Sequence, residues 1–345
     1  MALQTAALLV LAQNYAGDIR RQINRRAVAL SLLPKEADEG KNVAWAAQGD
    51  GAIAEFFSEG SDAVNFGTDS QTSAILPWAQ ARSNFSVSGF ARAASRTSRT
   101  PEGNIDLIAR DVLDGVSALA DKLNKSLYTG LSGQTPGQIV GFDEAIGLTN
   151  NTYAQIDRTV LANAFWKPYV IDPGVATALT YDQIRIDLAS IYKASGSRPN
   201  LALLSPATFA ALASIFDPNR FYNMKTAAAD GMKITSPELE GGVGAIRFDN
   251  CNFVEDKDAT DGNIYYINTS TVSVQYLPVG EPGPGGRDEM TDMVMTDGYD
   301  SIPLGIRMEA LAKTGDADKI MMKLYPQLRV LRPNQCGVRK SVKFS

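Results

Sequence analysis

The sequence predicts an α+β chain of more than one compact unit, and three features carry that expectation: a long amphipathic helix over Thr100–Gly130, a helix–strand–helix unit continued by strands over Leu179–Leu277, and two alternating strands joined by a turn beyond Ile306. The helix is read from Ile105, Ile108, Ala109, Val112, Val116, Leu119, Ala120, Leu123 and Leu127, whose three-and-four spacing gathers one apolar stripe. Thr100-Pro101 supplies an N-cap and first turn, and Gly130 a stop. At 1.5 Å per residue the helix is roughly 40 Å long, enough to brace a domain.

Ahead of it, Leu8, Leu11, Tyr15, Ile19, Ile23, Ala27 and Leu30 mark a second helical stripe, ended or bent by Pro34. Lying outside any obvious compact unit, Met1–Asn42 reads as an arm whose apolar stripe needs a neighbour. Gly49–Gly60 reads as a linker. Ala63–Phe66 and Asn84–Ala94 read as two extended segments forming a hairpin, joined through Gly67–Ser73 and Pro77. A two-stranded hairpin is marginal alone and has to lean on another surface.

After the long helix come a Gly/Ser/Thr/Pro-rich loop, Gly130–Gly147, and extended chain within Tyr153–Ile171. Thr180 with Gln183 gives a capping-box pattern for a helix carrying Ile184, Leu188, Ile191 and Tyr192 and stopped at Gly196. Leu201–Leu204 is a short buried-type strand and Ser205-Pro206 opens the helix Ala207–Phe216. Ala245–Phe248, Ile264–Ile267 and Val272–Tyr276 complete a unit with a mixed sheet. Ile306, Met308, Ala310 and Ala312 alternate, as do Ile320, Met322 and Leu324. With the turn at Gly315–Asp318 they form a long antiparallel hairpin at the chain's end, set beside the long helix.

Composition narrows the function. With 345 residues and 44% apolar content the chain can bury a sizeable core. A net charge of −5 argues against coating nucleic acid over the whole surface, leaving local basic patches: Arg20, Arg21, Arg25 and Arg26, and Arg82, Arg92, Arg96 and Arg99 in the acid-free stretch Ser70–Pro101. The apolar run Ala6–Ala12 is far short of a membrane span and has no basic residue before it, so the chain is expected to stay in cytosol, off the membrane. Cys251 and Cys336 imply buried free thiols rather than a disulfide framework.

Histidine is absent. That removes the commonest general base, the Ser-His and Cys-His nucleophile pairs and His-containing zinc sites. Asp256, Asp258 and Asp261-Gly262 miss the calcium-loop spacing, with Ile267 at the twelfth position, and read as an exposed acidic turn. Gly241-Gly242-Val243-Gly244, Gly280–Gly286 and Gly130–Gly133 lack dinucleotide, phosphate-loop and nucleophile-elbow endings and read as loops. No catalytic, cofactor or metal residue is assigned.

The order of these elements resembles the major capsid proteins of tailed bacteriophages, the Hong Kong 97-type shell fold. Local stretches add to it: Gly147–Arg158 with Trp166, Leu179–Arg185, Ser195–Pro199 leading to Ser205-Pro206, Phe216–Arg220, and Ile264–Asn268. The resemblance implies an N-terminal arm over 1–49, an extended hairpin loop over 50–99, and a peripheral domain whose first part, with the spine helix, is 100–178. An axial domain would be 179–277, and 278–345 would return to the peripheral domain.

It implies a structural protein, not an enzyme, that assembles with itself as hexamers and pentamers into an icosahedral shell around double-stranded DNA. Expected partners are a separate scaffolding protein, a portal protein, decoration proteins and the packaged DNA, bound non-specifically. The expected location is the virion, reached through the host cytoplasm.

Arg82, Arg92, Arg96 and Arg99 are then candidates for carboxylates of a neighbouring subunit, and Arg20, Arg21, Arg25 and Arg26 for the DNA side. Some relatives weld subunits through a loop lysine. This chain has no lysine between Lys41 and Lys122, so no such weld is expected. Two other readings compete: a bacterial nanocompartment shell of the same fold, and an α/β enzyme binding a phosphorylated ligand at Thr180 or Ser205.

Overall fold

A computed structural model describes residues 27–49, 51, 53–60, 67, 71–90, 93, 107–134, 137–215, 245–278, 292–294, 301–303, 306–311 and 315–343. The long helix, Leu107–Thr129 among these, buries Val116, Leu119, Ala120, Leu123 and Leu127 as its stripe predicts. It stops at Gly130 because the chain folds back there: Gly141 N donates to Gly130 O at 2.8 Å, and a Cβ on Gly130 would sit 1.9 Å from the Ile139 carbonyl oxygen. Close backbone approach, rather than a left-handed turn, requires the glycine.

A six-stranded sheet is built on the unit for which the resemblance implies an axial domain, and it is called the axial sheet below. Its order is Ala245–Phe248 (β10), Cys251–Glu255 (β11), Leu201–Leu204 (β9), Ile264–Ile267 (β12), Gly337–Arg339 (β19) and Tyr169–Ile171 (β7). Both faces are covered, so β9 and β12 read as unbroken apolar runs. Alternation then divides them between two cores. Leu201, Leu203, Tyr265 and Ile267 join the large core around the long helix, whereas Ala202, Leu204, Ile264 and Tyr266 face the helix Tyr181–Ser195 with Ile184, Leu188 and Ile191. That helix carries the expected capping box at Thr180 and Gln183 and a left-handed Gly196 at φ 70°.

Four expectations need correction. Val272–Tyr276 (β13) does not enter this sheet; it lies between Lys35–Ala37 (β1) and Pro326–Val330 (β18) in a separate three-stranded sheet. The chain does not end in its hairpin. Arg307–Ala310 (β16) and Ala317–Leu324 (β17) do pair, but β18 and β19 follow and carry the chain into the axial sheet.

The early hairpin is also differently paired. Asn42–Gln48 (β2) runs antiparallel to Gln71–Pro77 (β3), while Ala81–Ser88 (β4) departs at Trp78–Gln80 and becomes the outer partner of β17. The alternation of Phe85 and Val87 fits a strand whose inner face is shared with Met322 and Leu324. Residues 63–66 lie outside the described set. Finally, the end of the arm is not bare: Ala27, Val28, Ala29, Leu30 and Leu33 are buried in the chain's own core around the short helix Val28–Leu32, and Pro34 follows its end as expected.

Candidate assembly surfaces

The β2–β3 hairpin is fixed at one end and bare at the other. At its base Ile75 N donates to Ala154 O (3.0 Å), Trp78 Nε1 to Gly40 O (2.9 Å), and Gln327 Nε2 to Pro77 O (2.6 Å). Trp45 packs 6.4 Å from Tyr153 and 6.3 Å from Trp166, and those two rings stack at 6.1 Å. The seven-residue ladder carries the chain roughly 20 Å from that anchor. Beyond it Ile53, Phe56 and Phe57 are 55%, 109% and 81% exposed. Two adjacent phenylalanines in water form an apolar site that no other described residue covers.

The anchor explains the sequence pattern at 147–158. Thr152–Tyr153 and Ile156–Asp157 form a minimal hairpin whose turn residues, Ala154 (φ 51°) and Gln155 (φ 67°), are both left-handed without being glycine. Arg158 is buried and donates to the Glu144 and Ala145 carbonyls (2.9 and 2.5 Å), satisfying the end of the short helix Phe142–Ala145. Burial pulls its guanidinium down to about 10, opposed by Tyr153, over whose ring it lies at 5.1 Å, and by Glu144. Tyr153 Oη accepts from Val330 N (3.1 Å), joining this turn to β18.

Of the predicted arginines, only Arg82 falls within the described residues. It stands exposed on β4, opposite Lys323, which the register sets opposite Arg307 in turn. Among the described residues, Arg82 has no hydrogen-bonding or ionic partner. Arg92, Arg96 and Arg99, and Arg20, Arg21, Arg25 and Arg26, lie outside the described set.

Of the three carboxylates buried among the described residues, Glu144, Asp187 and Asp256, the last two tie distant elements together. Asp187 is fully buried and accepts from Arg339 Nε (2.5 Å), Arg339 Nη2 (2.7 Å) and Tyr266 Oη (3.1 Å), tying the Tyr181–Ser195 helix to β19. Asp256, expected in an exposed turn, is only 1% exposed. It follows β11, a strand that the mixed residues Asn252 and Glu255 concealed in the sequence.

Thr180 Oγ1 and Ser205 Oγ, the alternative phosphate sites, accept from Gln183 N and Thr208 N of their own helices. Among the described residues there is no His/Cys/Asp/Glu group of three or more suited to a metal ion, and no helix long and apolar enough to cross a membrane.

A long helix carrying a three-stranded sheet, an anchored hairpin and a unit built on a six-stranded sheet is an arrangement that can be compared with known proteins. The sequence model of the SU10 major capsid protein family matches residues 58–343. The chain belongs to that family. No curated protein matches this capsid protein, but solved structures share its fold over nearly the full length. The capsid asymmetric unit of cyanophage A-1(L) aligns with a TM-score of 0.73 at 17% identity, covering 95% of this chain and 96% of the other.

The capsid of a native GTA particle gives 0.60 at 12% identity, covering 96% and 97%. An encapsulin complex from Synechococcus elongatus PCC 7942 gives 0.56 at 14%, covering 98% and 96%. The capsid protein therefore has the tailed-phage shell fold, assembles with itself into a capsid as a structural protein and not an enzyme, and has its place in the virion.

Proposed function

We propose that the capsid protein forms hexamers and pentamers that close an icosahedral shell around double-stranded DNA, with contacts between copies made by the hairpin and the arginine-bearing stretch. The observation that carries this reading is the bare hairpin end: Ile53, Phe56 and Phe57 project beyond a ladder that is itself firmly held. In this reading 1–49 is the arm, 50–99 the extended loop, 179–277 the axial domain apart from the strand 272–276, with strands 169–171 and 337–339 added to its sheet, and the rest of 100–178 and 278–345 the peripheral domain. Arg82, Arg92, Arg96 and Arg99 meet carboxylates of an adjacent copy, where a guanidinium gives register as well as energy. Arg20, Arg21, Arg25 and Arg26 face the DNA.

A scaffolding protein, a portal and decoration proteins complete the assembly, which takes place in the host cytoplasm. The absence of lysine between Lys41 and Lys122 supports a shell held without a loop-lysine weld.

The test is electron microscopy of the protein expressed together with its scaffolding protein, beside Arg82→Glu. Wild-type closed shells and a folded variant that fails to assemble are the expected pair. Normal shells from the variant remove Arg82 from the interface, and glutamine at the four arm arginines with undiminished DNA retention removes the arm from the DNA side. Nuclease-protected DNA within virion shells separates this reading from a protein-filled compartment.

A further inference from the structure

The helix Val28–Leu32 lacks a cap of its own, since Ala27 offers no side-chain acceptor to the first turn. Its orphan amides are met instead from two distant parts of the chain. Ala29 N donates to Asp256 Oδ2 (2.9 Å), 227 residues away, and Leu30 N to Asn124 Oδ1 (3.1 Å), 94 residues away.

The two acceptors are themselves joined. Asn124 Nδ2 lies 3.0 and 2.9 Å from the two Asp256 oxygens and 2.7 Å from Asp258 Oδ2. Tyr128 Oη donates to Asp256 Oδ2 (2.9 Å) and Asp258 N to Asp256 Oδ1 (3.0 Å). Asn124 and Tyr128 belong to the long helix, and Asp256 N donates to Leu204 O of β9. One buried carboxylate thus touches the arm's end, the spine helix and the axial sheet at once.

The charge type is suited to this task. The neighbouring cation, Lys257, pairs with Asp121 and Asp258, so Asp256 is held by neutral donors, two of them backbone amides. A carboxylate so placed favours the positive end of a short helix, and the arrangement fails if that helix moves away and leaves the charge buried with fewer donors. Burial of Val28, Ala29 and Leu30 beside the network adds apolar contact to the same position.

We propose that Asp256 and Asn124 form a remote helix cap that latches the end of the arm to the body, so that the point where residues 1–26 join is fixed in the free subunit and not first by assembly. The latch goes beyond the shell-forming reading and stands whether or not the arm meets a neighbour or DNA.

Residue-resolved hydrogen exchange on the full-length protein tests it. In the free wild-type subunit the Ala29 and Leu30 amides are expected to be as protected as in the shell. Asp256→Ala speeds exchange at Ala29 and Asn124→Ala at Leu30 by about tenfold, the size of a lost helix cap. Tyr128→Phe, which removes one hydroxyl and keeps the fold, gives a smaller acceleration at Ala29. Amides of the Tyr181–Ser195 helix remain at wild-type rates in all three. Protection that appears only in shells overturns the proposal. So does unchanged exchange at residues 29 and 30 in the folded variants, or an acceleration spread equally over 181–195; should the alanine variants fail to fold, Tyr128→Phe decides alone.

Discussion

The axial sheet and the early hairpin solve the same problem of strand burial in opposite ways. In the axial unit both faces of β9 and β12 are covered from within the chain, and even its buried charge is closed by Arg339 and Tyr266. In the hairpin only one side of β2 is packed, through Val43, Trp45 and Ala47, and the far end leaves phenylalanine in water. A unit that closes on itself gains its stability during folding. In the function proposed above, a unit that ends bare defers part of its burial to another copy, which is the division of labour a shell subunit needs.

The contrast is open to attack at four points, in falling order of effect on subunit stability. Arg339→Leu leaves Asp187 buried without its cation and is expected to cost about 3–5 kcal/mol in urea unfolding; a loss below about 1 kcal/mol breaks the claim that the axial unit is internally closed. Tyr153→Phe strands the buried Val330 amide at the hairpin's anchor and is expected to cost about 1–3 kcal/mol by the same measurement.

Gln155→Gly relieves an exposed left-handed position and is expected to raise stability by about 0.5–1 kcal/mol, read as a higher Tm; a lower Tm contradicts the strained-turn assignment. Phe56→Ser with Phe57→Ser is expected to change subunit stability by less than about 0.5 kcal/mol while shells fail to close. A large stability loss there means that the two rings are packed in the free subunit.

What was legible in the sequence had a local period. The stripe from Val116 to Leu127, the Thr180–Gln183 capping box, Gly196 and the alternation of Ile320, Met322 and Leu324 are set by neighbours three, four or two residues apart, and the structure keeps them. Strand partners had no such signal. Lys35–Ala37 is too short and too exposed to show alternation, yet it pairs with Val272–Tyr276 across the length of the chain.

Of the proposed assembly surface, the sequence points to Arg82, which is exposed, whereas Phe56 and Phe57 fall in a stretch that reads as linker because a tip has no period. Asp256 was misread for a related reason. Its burial depends on Asn124, Tyr128 and Ala29, and no spacing around residue 256 announces them.

The central claim is that the hairpin end is covered only by a second copy. Hydroxyl-radical footprinting of Phe56 and Phe57 in dissociated subunits and in closed shells tests it directly. Both rings are expected to be readily oxidised in the subunit and protected in the shell. Equal oxidation in the two states, or protection already present in the isolated subunit, contradicts the account.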